Sequence, residues 1–149
     1  MAPIARRADR RLQALLMAAA LAQSSDRALQ RLCQFRRPAN AAELIDTFFA
    51  DLAEWAAKPR WSGGGFTRAV IELADMSGHP ARAIARKHKA AVENWLAESL
   101  VAAEIASARE RAREIMLLME GAMALMLIHG SRDFASAAAK AAKTLVRQA

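Results

Sequence analysis

The chain has 149 residues, a net charge of +7, 54% hydrophobic residues, a single cysteine and no tyrosine. This length suits one ordinary domain with a real core, and so apolar a composition excludes a disordered chain. Cys33 has no partner for an intramolecular disulfide, and the alanine, leucine and methionine that dominate the apolar content favour helix over strand. The expected fold class is all-α, an antiparallel bundle of six to seven helices in one domain spanning residues 1–149.

The first element is basic. Arg6, Arg7, Arg10, Arg11, Arg27, Arg31, Arg36 and Arg37 face only Asp9 and Asp26, so six of the seven net charges lie in residues 1–37. A sequence pI of about 10.7 invites a nucleic-acid reading, although arginines along a helix are also an ordinary solvated face. Leu12, Leu15, Leu16, Met17, Ala19 and Ala20 recur at spacings of three and four, predicting an amphipathic helix from Ile4 to about Gln23. "SSD" at residues 24–26 reads as a break that caps a second helix, which carries Leu29, Leu32, Cys33 and Phe35 and ends at Pro38.

Asn40 is placed to cap the next helix, about Ala41 to Ala57, with Leu44, Ile45, Phe48, Phe49, Leu52 and Trp55 on one broad face. Pro59 stops it. "RWSGGGF", residues 60–66, then sets three glycines in a row, each about 1 kcal/mol worse than alanine inside a helix, so regular helix ends there. A short helix is expected from Phe66 to Met76, followed by the break "SGHP". Pro80 suits the first position of a long helix running to about Glu104.

"IMLLMEGAMALMLIHG", residues 115–130, is apolar all round except for Glu120. It is shorter than the ~20 apolar residues of a bilayer crossing, and a helix of this kind asks to be covered on every side. Gly130 closes it. A last helix follows from "SRDF", with Phe134, Ala137, Ala138, Ala141 and Leu145 in a mostly alanine stripe that permits close helix approach. The opening "MAPIARRADRR" lacks the apolar run and cleavage site of a secretory leader, so a cytoplasmic setting without membrane contact is expected.

Catalytic signatures are absent. His79, His88 and His129 are scattered, no metal-ligand spacing occurs, and the glycine corner lacks the lysine and hydroxyl of a phosphate loop. His79 reads as a helix cap, His88 as a polar residue on a half-buried face and His129 as a helix terminator. No enzyme activity and no cofactor or metal is expected. Glu120, inside an apolar helix, must be paired, protonated, solvated or set at an interface, because a bare buried carboxylate costs several kcal/mol.

The second half as a whole resembles the C-terminal domain of TetR-type transcriptional regulators. "RWSGGGFTRAVIELADMSGHPARAIARKHKAAVENWLAESL" followed by "EIMLLMEGAMALMLIHGSRDFASAAAKAAKTL" is similar to that family in its order of parts. A helix ends in proline, a basic residue and an aromatic, a glycine corner leads to a short helix, an "HP" break opens a long one, and an apolar "HG" helix precedes an alanine-rich one. The resemblance covers about Ala41 to Leu145. It implies a homodimer made by the last two helices, residues 107–148, with Met126, His129, Phe134, Ala138, Ala141 and Leu145 at the interface. It further implies a small apolar or aromatic effector held among the central helices, residues 41–104 and the helix after them, by Phe49, Trp55, Phe66, Trp95, Met116 and Glu120.

The family's N-terminal helix-turn-helix has no counterpart in residues 1–40, which hold neither glycine nor tyrosine. The expectation is the regulatory half of such a protein, meeting DNA only through a helix-turn-helix supplied by a longer chain. A small basic nucleic-acid-binding protein and a structural dimerisation module without ligand are the alternatives.

Overall fold

Residues 3–33, 40–76 and 78–147 are described by the structure, a computed structural model, with backbone alone for residues 3–12, 15, 29, 32 and 33. Six helices occur, α1 (Pro3–Cys33), α2 (Ala41–Ala56), α3 (Gly65–Glu72), α4 (Pro80–Ala102), α5 (Ala108–His129) and α6 (Asp133–Arg147), with no strand among the described residues. The fold is all-α. Among the described residues no helix is long and apolar enough to cross a membrane. The chain divides into two units, one built from α1, α3 and α4 up to Ala91, the other from α2, the glycine corner, α4 from Val92, α5 and α6.

In the first unit α1 runs unbroken through Ser24–Asp26, where the sequence predicts a break. Serine and aspartate are only a few tenths of a kcal/mol poorer than average helix formers, and a tertiary bond compensates. Ser25 is buried, and its Oγ lies 2.8 Å from His88 Nδ1 on α4. The expected helix end at Pro38 lies outside the described residues. On α3 the buried Phe66 stacks on the His88 ring, with centroids 4.0 Å apart. This helix ends at Glu72, four residues before the expected Met76, because bonds from Ala74 N–H to the Ile71 carbonyl and from Met76 N–H to the Leu73 carbonyl tighten the chain into turns. His79 then caps α4, its Nδ1 accepting the Ala81 N–H at 3.1 Å, with Pro80 at the first helical position.

The second unit begins at Asn40, whose Oδ1 accepts the Glu43 N–H at 2.9 Å. Ala41, Leu44, Ile45, Phe48, Phe49 and Leu52 form the buried stripe of α2 at the predicted spacing. Beyond Pro59 the chain turns through two left-handed residues, Arg60 (φ 63°) and Gly63 (φ 82°). A Cβ at Gly63 would stand 3.0 Å from Cδ2 of Leu127, so the corner is pressed directly onto α5. Helix α4 closes at Ala102 with Glu104 left-handed at φ 58°. There the Glu104 N–H bonds to the Val101 carbonyl and the Ile105 N–H to the Leu100 carbonyl, the paired bonds of a Schellman stop.

Helix α5 buries Ala108, Ala112, Ile115, Met116, Met119, Ala122, Met123 and Met126, and ends on Gly130 at φ 66°, whose N–H reaches the Met126 carbonyl. Helix α6 packs on both α5 and α2 through Ala135, Ala138, Ala139, Ala142 and Val146. Small side chains let the helices approach closely, which is why an alanine stripe serves as a core here. Among the described residues, ion pairs link Arg113 to Glu93 at 3.0 Å and Lys143 to Asp46 at 2.6 Å. Each has one well-exposed partner, so each contributes no more than about 1 kcal/mol.

Candidate functional site

Aromatic side chains collect where α2 and the later part of α4 meet in the second unit. Phe48 links two of the expected ligand residues, lying edge-on to Phe49 with centroids 5.4 Å apart and stacked on Trp95 at 6.1 Å. Trp55, the last residue but one of α2, meets Trp61 of the corner edge-on at 5.8 Å. The corner residue Trp61 has its indole Nε1 shielded, with no acceptor among the described residues, a donor that a ligand oxygen would satisfy. Met116 lies on the buried face of α5, while Glu120 is half-buried on its flank and interacts with a neighbouring group. Phe66 belongs to the first unit, packed on His88. Of the six expected residues, then, Phe49 and Trp95 are joined through Phe48, and Trp55 is paired with Trp61. Phe48 and Trp61 carry these contacts although neither is among the expected six. For Phe48 the signal was its position at the centre of the α2 stripe, one turn from both Leu44 and Leu52.

A groove of about 280 Å³ runs between α2 and α6. Phe49 and alanines line it, and the Lys143–Asp46 pair and Lys140 edge it. Its volume falls just below that of small-molecule sites, roughly 300–1,000 Å³.

The expected interface residues fall into two groups. Met126 and Ala138 are buried in the chain's own core, at 3% and 7% exposure, and so face α5 and α6 packing and not solvent. Ala141 and His129 are exposed, Phe134 and Leu145 half-buried, and the His129 ring stacks on Phe134 at 5.2 Å across the α5–α6 turn. Within the single chain, α5 is covered on one half. Leu117, Gly121, Ala124, Leu125, Leu127 and Ile128 lie exposed on the other half, Leu117 at 70% and Ile128 at 72%. A helix apolar at every angle has no phase from which the covered side can be read, which is why the sequence did not single these residues out.

Among the described residues no three of His, Cys, Asp and Glu cluster so as to hold a metal ion. The first-helix arginines Arg6, Arg7, Arg10 and Arg11, which carry the nucleic-acid reading, have side chains outside the described residues. Comparison with models of known protein families, with curated proteins and with solved structures finds no match.

Proposed function

We propose that the chain is the effector-binding and dimerisation part of a TetR-type transcriptional regulator. The observation that carries this reading is the two-sided α5: one half buries methionines and alanines within the chain, the other presents leucine and isoleucine to solvent. An exposed apolar face of that kind marks an interaction surface, and Ala137 and Ala141 of α6 are exposed as well. The order of parts supports the same reading, from the corner on Gly63 through the His79–Pro80 start of α4 to the Gly130 stop of α5. In this reading an apolar or aromatic small molecule binds against the aromatic residues of α2, α4 and the corner. The energy of its binding shifts the spacing of two copies, and DNA is read by a helix-turn-helix unit outside residues 3–147.

A thermal-shift screen of the purified chain against apolar and aromatic small molecules, with its mass in solution recorded alongside, tests the proposal. The expected outcome is a dimer whose melting temperature rises with particular compounds; at a hundredfold excess over Kd a ligand adds about 2.7 kcal/mol. A dimer indifferent to every compound would instead be a structural module, and a monomer would end the family reading.

A further inference from the structure

We infer that the outward side of α1 docks on an anionic lipid surface, with its arginines against the headgroups and its apolar middle in the interface. This contact goes beyond the regulatory reading and does not depend on it.

The two units differ in charge. The unit of α1, α3 and the start of α4 holds eleven arginines and lysines against four carboxylates, which is the whole net charge of +7, while the other unit holds eleven of each. One unit therefore carries a field that draws polyanions, and the other does not. Within the basic unit Arg27, Arg31, Arg82, Arg86 and Lys87 are exposed and form no ion pair among the described residues.

A nucleic acid and a bilayer both meet that charge, and the apolar residues separate them. Steps of three and four from Arg10 through Met17 and Ala20 to Arg27 and Arg31 follow one line along α1, on the side away from the buried Ala18 and Ser25. Leu16 at 62% and Met17 at 39% exposure occupy its middle, and no charged residue stands between Arg11 and Asp26. A phosphate backbone offers such a stretch no partner. The boundary between headgroups and acyl chains takes up exposed leucine and methionine, while flanking arginines reach the headgroups. The 31 residues of α1 span about 46 Å, so the line lies lengthwise on a plane. A contact of this kind needs neither a leader nor a spanning helix, the two features whose lack underlies the sequence expectation of no membrane contact.

The test is co-sedimentation of the full chain with vesicles of pure phosphatidylcholine and of phosphatidylcholine with about one third phosphatidylserine. At about 50 mM salt the chain is expected to pellet with the charged vesicles and to stay in solution with the neutral ones. Arg27→Gln with Arg31→Gln should weaken vesicle affinity about twenty-fivefold, roughly fivefold for each charge near the surface. Leu16→Gln with Met17→Gln should weaken it at least about tenfold at unchanged charge. Glutamine is a good helix former and both side chains are exposed, so helicity by circular dichroism should be kept. Val101→Gln, at an exposed apolar position of the other unit, should leave the affinity unchanged. A chain that stays in solution with the charged vesicles would overturn the inference. An affinity indifferent to the Leu16 and Met17 pair would overturn it as well, since charge alone would then make the contact. Duplex DNA bound more tightly than the charged vesicles at equal phosphate, and equally well by the Leu16 and Met17 variant, would assign the line to nucleic acid instead.

Discussion

Glu104 occupies the position in the α4 stop where glycine is the usual choice, with φ 58° and both Schellman bonds in place. A side chain in that conformation meets the following carbonyl and costs about 1–2 kcal/mol. Glu104→Gly removes the clash, and even after the extra freedom that glycine gives the unfolded chain it should stabilise the protein by about 0.5–1 kcal/mol. Urea unfolding, read as a higher midpoint at unchanged slope, checks it. Asp51 offers a second test at this scale. Burial, and secondly the Glu54 carboxylate, hold its carboxyl above its ordinary value of 3.8. The folded state therefore binds this proton more tightly than the unfolded one, so its contribution is most favourable at acid pH and declines as pH rises through the raised value. Asp51→Asn should flatten that part of the profile of melting temperature against pH.

At the scale of elements, the helix starts and stops with strong local chemistry were legible in the sequence. Asn40 caps α2, Pro80 opens α4 behind the capping imidazole of His79, and Gly130 closes α5. Each acts within a few residues of itself, so the chain alone specifies it. The continuity of α1 was not legible, since the Ser25 hydroxyl is held by His88, 63 residues away. Serine next to aspartate reads locally as a cap, and only a distant partner turns it into helix interior. Ser25→Ala should lower stability by about 1–2 kcal/mol by leaving the imidazole nitrogen without its hydroxyl, with helicity at low temperature unchanged. The outward half of α5 was illegible for the opposite reason: residues 115–129 are so uniformly apolar that no angle is preferred. The aromatic site was legible in its parts, Phe49, Trp55 and Trp95, but not in its links through Phe48 and Trp61, which depend on how α2, α4 and the corner meet.

Across the whole molecule the uneven charge becomes a measurable property. Residues 1–37 hold six of the seven net positive charges. The regulatory reading assigns DNA recognition elsewhere, so the isolated chain should bind duplex DNA only weakly and without sequence preference. Fluorescence anisotropy at 50 and 200 mM salt checks this: the expected affinity disappears over that range, since contact through phosphates alone is lost as counterions return. Tight binding of one sequence that survives 200 mM salt, and falls when Arg6, Arg7, Arg10 and Arg11 are neutralised, would favour the basic nucleic-acid-binding protein.

Gly63 and Gly65 of the corner are not equivalent, and their difference bears on how this sequence can drift. Gly63 is left-handed and lies against the tip of Leu127, so the backbone strains any side chain there, while the half-exposed leucine tip can give way by a few tenths of an ångström. Gly65 opens α3 with free space around it and an ordinary φ. Lineages descending from this chain can therefore lose the glycine at 65 freely. At 63 the left-handed backbone makes every other residue except asparagine or aspartate costly, so the glycine there is kept by conformation and not by lack of room.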